Sequence, residues 1–156
     1  MEKNKKYFKW ILVIAWMIII FLFSNEPAVA SDKNSRFAID ILDSLGIDFN
    51  SAFGELANFI LRKTAHFMEY FILYLLVFNA LKKNFSLKKG LIISLIITFL
   101  YACSDEVHQL FVLGREGRFT DVLIDTLGGT FALILITSYN SFKEKDNKKV
   151  KVNSYK

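Results

Sequence analysis

The sequence predicts an all-α integral membrane protein: a bundle of four transmembrane helices with an amphipathic extracytoplasmic helix between helices 1 and 2. Three observations carry that prediction. Apolar runs of bilayer-crossing length recur along a chain that is 53% hydrophobic. Lysines gather at the two ends and in the break between the second and third runs. The ionisable residues that do enter the runs sit near their ends, where three helices would hold them at similar depth. With 156 residues and a single proline, the chain reads as one compact unit rather than two cores or a disordered segment.

A formal charge of +5 invites a nucleic-acid reading, but its distribution argues against one. Lys3, Lys5, Lys6 and Lys9 precede the first apolar run, and Lys82, Lys83, Lys88 and Lys89 separate the second from the third. Lys143, Lys145, Lys148, Lys149, Lys151 and Lys156 follow the last. This is the positive-inside pattern, so the charge reports topology: both termini cytoplasmic, lipid as the surrounding partner, no nucleic acid. Cys103 is the only cysteine, which excludes an intrachain disulfide and a thiolate-rich metal site. It reads as a packing residue.

The first span is Tyr7 to Phe23, following a lysine-rich start. Ala28-Val29-Ala30 before Ser31 has the small-x-small form of a signal-peptide cleavage site. Retention is the favoured reading, because Tyr7, Trp10 and Trp16 have the character of interfacial anchors. From Ser24 to Asn58 acids outnumber bases, which suits an extracytoplasmic loop. Within it Phe37, Ile41 and Leu45 recur at helical spacing, and Gly46 ends the amphipathic helix they define.

The second span, Phe59 to Leu81, carries Arg62, Lys63, His66 and Glu69 in its first half. Arg62, His66 and Glu69 share one stripe of that helix with Leu73. The third, from Gly90 or Leu91 to about Leu110, is free of charge until Ser-Asp-Glu-Val-His-Gln near its end. There Asp105, His108 and Gln109 fall on one face, with Tyr101 a turn earlier. The fourth runs from Phe119 or Thr120 to Tyr139 and opens with Asp121 and Asp125, one turn apart. Gly128-Gly129 follows, where small residues let another helix approach closely. Residues 1–140 form a single transmembrane domain in this reading, and 141–156 a basic cytoplasmic tail.

With the N-terminus inside, the charged parts of spans two, three and four all fall at the outer side. At a rise of ~1.5 Å per residue, Glu69 lies on the order of 10 to 15 Å into its helix and Asp125 about 7 Å. A charge buried at mid-span costs about 2.5 to 3.5 kcal/mol, so such a group needs a partner or a use. One outcome is structural: Arg62, Lys63 and Arg115 or Arg118 neutralise Glu69, Asp105, Asp121 and Asp125 in a network that only holds helices together. The other is functional. His66 and His108, the chain's two histidines, each stand three residues from a carboxylate, Glu69 and Asp105, which supplies parts for acid–base work on a polar headgroup. Arg115 and Arg118 suit a phosphate or carboxylate. The histidines with Glu69, Asp105 or Asp125 also make an N/O donor set for a divalent metal.

The runs Arg-Lys-Thr-Ala-His-Phe-Met-Glu-Tyr (Arg62 to Tyr70) and Tyr101 to Gly129 resemble the VanZ-like family of bacterial membrane proteins. Lys63, His66, Glu69 and Tyr70 match its K-x-x-H-x-x-E-Y element. Asp105, Glu106, His108 and Gln109 match S-D-E-x-H-Q, Gly114-Arg115 its Gly-Arg turn, and Asp121, Asp125 and Gly128 its D-x-x-x-D-x-x-G helix start. Phe23 to Ser35 is similar to its F-S-x-x-P…S stretch, and the likeness extends to about residue 140. The resemblance implies a protein of the bacterial cell membrane that acts at the cell envelope. The family takes its name from a protein that lowers susceptibility to teicoplanin, a lipid-tailed glycopeptide acting on precursors outside the membrane. The candidate catalytic residues are therefore His66, Glu69, Asp105, His108 and Asp125. Lys63, Glu106, Gln109, Arg115 and Asp121 are the candidates for contact with a cell-envelope lipid, a lipid-linked precursor or a lipoglycopeptide.

Overall fold

A computed structural model describes the backbone of residues 2–153 and the side chains of residues 6–147. The side chains of Lys3, Lys5, Lys148, Lys149, Lys151 and Lys156, part of the predicted basic ends, lie outside the described residues. The described chain is helical throughout and its elements run α1 (Glu2–Ser24), α2 (Ala28–Ser44), α3 (Phe49–Phe53), a 3₁₀ turn (Gly54–Leu56), α4 (Ala57–Leu81), α5 (Leu87–Gln109) and α6 (Phe119–Asn153). Among the described residues, four helical stretches are long and apolar enough to cross a membrane: Lys6–Ser24, Phe49–Leu81, Leu87–Gln109 and Phe119–Asn147. The four-span bundle predicted from sequence is the fold.

Local chemistry sets the breaks. Pro27 precedes α2 with φ −54° and ψ 147°, a conformation that stops α1 from continuing. Gly46 at φ 85° closes the end of α2, a backbone region that costs an L side chain but not glycine. Asp48 caps the short α3, its carboxylate accepting from the Ser51 amide at 3.0 Å. At the end of the sequence the helix does not stop near Tyr139. α6 has 35 residues, about 50 Å at ~1.5 Å per residue, well beyond the ~30 Å hydrocarbon core. Its lysine-bearing last turns therefore project past the bilayer as helix.

α4 is the central helix, packed most extensively on α6 and also touching α1, α2 and α5. Tyr70, Leu73 and Val77 of α4 are fully buried against Val13 and Ile20 of α1, Ala102 of α5 and Val122 of α6. Tyr74 packs with Leu91 and Ala132 and donates its hydroxyl to the Leu91 carbonyl at 3.1 Å. Within α5, the buried hydroxyls of Ser94 and Thr98 donate to the Gly90 and Ser94 carbonyls of their own helix at 2.7 and 2.9 Å. Ile11, Ile14, Ile18 and Leu22 of α1 and Ile92 and Ile96 of α5 face outward. Aliphatic exposure of that kind is what a lipid-contacting surface requires.

The helices meet in two different ends. At one, the Lys9 ammonium donates to the Asn79 carbonyl at 2.7 Å, beside the exposed Lys82, Lys88 and Lys89. At the other, the end of α1, the start of α4, the end of α5 and the start of α6 come together around the polar residues. α2 lies across that polar end with its apolar stripe outward. Phe37, Ile41 and Leu45 are exposed, and Ile39 is the buried residue of α2. Polar contacts hold this helix: Asp32 accepts from Arg62 at 2.9 Å and from Asn58 at 3.1 Å. An ion pair on the inner side leaves the apolar stripe facing out.

α4 and α6 run in the same direction and touch at backbone distance. A Cβ at Gly128 would overlap the Phe67 carbonyl oxygen, with the Phe71 amide nitrogen 3.1 Å away. At Gly129 it would meet side chains rather than backbone: the Thr98 Cγ2 methyl at 3.0 Å and the Tyr74 ring at 3.5 Å. Gly128→Ala is therefore expected to cost about 3 kcal/mol or more by forcing two helix backbones apart. Gly129→Ala, which gains about 1 kcal/mol of helix propensity, stays close to neutral. Thermal unfolding of the two variants in detergent checks this, and equal tolerance at both positions contradicts the packing.

Candidate functional site

The close contact of α4 and α6 sets which side chains meet. His66, the residue before Phe67, faces Asp125, which sits one turn before Gly128 at 0% exposure. His66 Nδ1 is 3.7 Å from an Asp125 oxygen and 3.7 Å from a Glu69 oxygen. Both separations exceed hydrogen-bond range. His66 Nδ1, Glu69 Oε2 and both Asp125 oxygens are buried without a hydrogen-bond partner. Such groups are uncommon in native interiors and point to something that satisfies them.

α5 adds the third wall. Asp105 is buried and accepts from the Ser24 hydroxyl of α1 at 2.7 Å and from the Gln109 amide at 3.3 Å. The Tyr70 hydroxyl lies beside this carboxylate without hydrogen-bond geometry. One donor atom each from His66, Asp105 and Asp125 falls within 4.8 Å of the others. Three helices thus deliver an imidazole and two carboxylates to one point. It is this trio, with Glu69 alongside, that could hold a cation by nitrogen and oxygen ligands.

The ion-pair network that would neutralise these acids forms in one place only. Lys63 binds Asp121 at 2.6 Å, one turn above the His66–Asp125 approach. The other cations are engaged elsewhere. Arg62 pairs with Asp32 at 2.9 Å, and Arg118 pairs with Glu116 on its own loop. Arg115 donates through Nε to the Glu26 carbonyl at 3.0 Å and through a terminal nitrogen to the Phe23 carbonyl at 3.4 Å. Among the described residues, no Lys or Arg forms an ion pair with Glu69, Asp105 or Asp125. The reason is reach: α2 and the loop before α6 offer Asp32, Glu116 and backbone carbonyls nearer to each guanidinium than the buried acids.

The arginines instead line the approach. Gly114, at φ 73°, turns the loop so that Arg115 crosses back toward the end of α1. Burial and the neighbouring Arg62 pull Arg115 below its ordinary range, Glu26 and Asp32 push the other way, and a guanidinium stays charged throughout. A cavity of about 330 Å³ opens between α2 and α4, with Phe23, Ala38, Leu61 and Ala65 as apolar walls and Arg62, His66, Glu69 and Arg115 as polar lining. A second, more polar cavity of about 330 Å³ is lined by Arg62, Lys63, His66, Gln109, Arg115 and Asp121. His66, Arg62 and Arg115 border both.

Most of the candidates chosen from sequence are therefore gathered here: Lys63, His66, Glu69, Asp105, Gln109, Arg115, Asp121 and Asp125. Two are used differently. Glu106 accepts the Arg118 amide at 2.8 Å and so pins the loop before α6, while its other oxygen is buried without a partner. His108 turns toward α1, with Nε2 3.1 Å from the Asn25 side chain and its ring 4.6 Å from that of Phe21. Asp105 and Gln109 differ by about 40° around the helix and His108 is about 60° off Asp105, enough for α1 to claim it. Ser24, Asn25, Glu26 and Asp32 belong to the site's surroundings but carried no signal by themselves. The serine and proline after Phe23 were their nearest trace.

An all-helical, multi-pass membrane protein with a polar centre at one end of its bundle is the class these observations define. Within that class, the chain belongs to the VanZ/LLP1 family, whose model matches residues 8–140. This is a family of membrane proteins linked to glycopeptide resistance. No curated protein and no solved structure matches the chain.

The pairing predicts a double-mutant signature. Lys63→Met leaves Asp121 without its cation and is expected to lower stability by about 3 kcal/mol. Adding Asp121→Asn should restore most of that loss, because the uncompensated charge is then removed. Melting curves of the two single variants and the double variant measure the coupling. Additive losses would contradict a shared ion pair.

Proposed function

We infer that the cavity between α2 and α4 receives the anionic headgroup of a lipid-anchored cell-envelope molecule from the outer leaflet. The observation that carries this is the lining: two guanidiniums, Arg62 and Arg115, border the same space as His66 and Glu69, against walls of Phe23, Ala38, Leu61 and Ala65. A guanidinium pair suits phosphate or carboxylate oxygens, and apolar walls suit the first carbons of a lipid tail. The lysine-rich ends favour a cytoplasmic position for both termini, which turns the polar end of the bundle outward. Phe37, Ile41 and Leu45 of α2 then lie at the outer interface. Residues 1–140 act as the functional unit, and 141–156 serve as a basic cytoplasmic tail.

In this reading Arg115 and Arg62 bind the headgroup, while Lys63, Asp121 and Gln109 shape the second cavity beneath the loop. His66 is placed to accept or donate a proton at the headgroup, and Glu69 and Asp125, each 3.7 Å from its Nδ1, orient the imidazole. Asp105 is oriented in turn by Ser24. His108, bonded at the rim to Asn25, holds α5 against α1. Envelope lipids, lipid-linked precursors and lipid-tailed glycopeptides share the required chemistry, and lowered teicoplanin susceptibility is the phenotype by which this reading is tested.

A second reading has its own support. Lys63–Asp121 and Ser24–Asp105 each join two helices, at 2.6 and 2.7 Å, as a purely structural brace in a binding or assembly protein would. Arg115→Ala and His66→Gln separate the two. The functional reading expects both variants to accumulate in the membrane and to melt within a few degrees of the parent, yet to lose any teicoplanin protection given by the parent. Folded variants that keep the full protection of the parent would favour the brace.

A further inference from the structure

We propose that His66, Asp105 and Asp125 form a divalent-cation site at the floor of the bundle's polar end. Nothing in the headgroup reading requires it, since that reading rests on Arg62 and Arg115. Three independent observations converge on the cation.

The first is geometry. Donor atoms from the three residues lie within 4.8 Å of one another. Ligands bound at about 2.1 Å from one ion are separated by about 3.0 to 4.2 Å. Side-chain movements of no more than about an ångström would close the set on an ion. The second is orphaned polarity. Asp125 is fully buried, both of its oxygens lack a hydrogen-bond partner, and His66 Nδ1 lacks one as well. These are the atoms that face each other at 3.7 Å. An imidazole nitrogen and a carboxylate oxygen both aimed at one space, and bonded to neither each other nor another group, are arranged as ligands are. The unpartnered Glu69 oxygen, 3.7 Å from the same nitrogen, is a candidate fourth donor.

The third is charge. Two aspartates and a glutamate meet without an ion pair to a described Lys or Arg: Lys63, Arg62 and Arg118 pair with Asp121, Asp32 and Glu116, and Arg115 donates to backbone carbonyls. One divalent ion balances two carboxylates, which makes the burial of Asp105 and Asp125 inside a membrane bundle tolerable. The surroundings also suit a metal: the Asp105 oxygen held by Ser24 and Gln109 fixes that carboxylate and leaves its other oxygen for the ion. Outer hydrogen bonds of this type orient ligating carboxylates. One nitrogen with two or three oxygens, and no sulfur, points to zinc or manganese among the common divalent ions.

The test uses the full-length chain purified in detergent, stripped with a chelator and titrated with Zn²⁺ and with Mn²⁺. One of the two ions is expected to bind at one per chain by calorimetry and to raise the melting temperature by on the order of 5 °C. Asp125→Asn and His66→Gln should weaken binding at least tenfold and abolish that shift. Glu116→Gln, on the exposed loop, should bind as the parent does. If Asp125→Asn does not fold, His66→Gln carries the comparison alone. Absence of saturable uptake, or equal binding by parent and His66→Gln, overturns the site while leaving the arginine-lined cavity untouched.

Discussion

The contact on which the rest of this structure depends is the approach of α6 to α4 at Gly128. No side chain separates the helices there, since a Cβ would overlap the Phe67 carbonyl oxygen. Everything on the polar side of that contact follows from the register it imposes. One turn back, Asp125 is driven against His66. A further turn back, Asp121 meets Lys63. Beyond the contact, Phe131 reaches Phe67 and Phe71, and Tyr74 packs on Ala132. A bulkier residue at position 128 would separate the helices and dissolve the pairings on both sides.

A membrane bundle normally resolves its buried charges by pairing them, because each costs several kcal/mol left alone. This one resolves Asp121 and leaves Glu69, Asp105 and Asp125 without a protein cation among the described residues. The arginines that could have served are held at the approach by Asp32, by Glu116 and by the carbonyls of Phe23 and Glu26. The division is the informative part. Arg62 and Arg115 line the cavities, and His66 and Glu69 border the first of these from the side of the buried aspartates.

Much of this was legible in the sequence, and what was not has identifiable causes. Span positions follow from hydropathy alone, and the meeting of Lys63, His66, Asp105, Asp121 and Asp125 follows from helix direction together with residue depth. Partner choice does not follow. Arg62 lies on the stripe of His66 yet pairs with Asp32, because α2 passes closer than α5, and nothing in the helical period encodes that. His108 shares a nominal face with Asp105 but turns to Asn25, since about 60° of helix rotation decides between two neighbours. Ser24, buried against Asp105, is a single small residue at the end of an apolar run. Its role depends on a contact 81 positions away. The stripe Phe37, Ile41 and Leu45 of α2 gave the helix but not its anchor, which is the contact of Asp32 with Arg62 and Asn58.

What joins the fold to a role at the envelope is the side to which the polar end opens. Ser35 lines the cavity between α2 and α4, and Asn84 is exposed in the lysine-rich turn between α4 and α5. With Cys103 replaced by alanine, a cysteine at either position can be probed in intact cells with a membrane-impermeant maleimide. Ser35→Cys is expected to be labelled from outside, and Asn84→Cys only after the membrane is opened. The reverse pattern would place the arginine-lined cavity in the cytoplasm and contradict a polar end that opens outward.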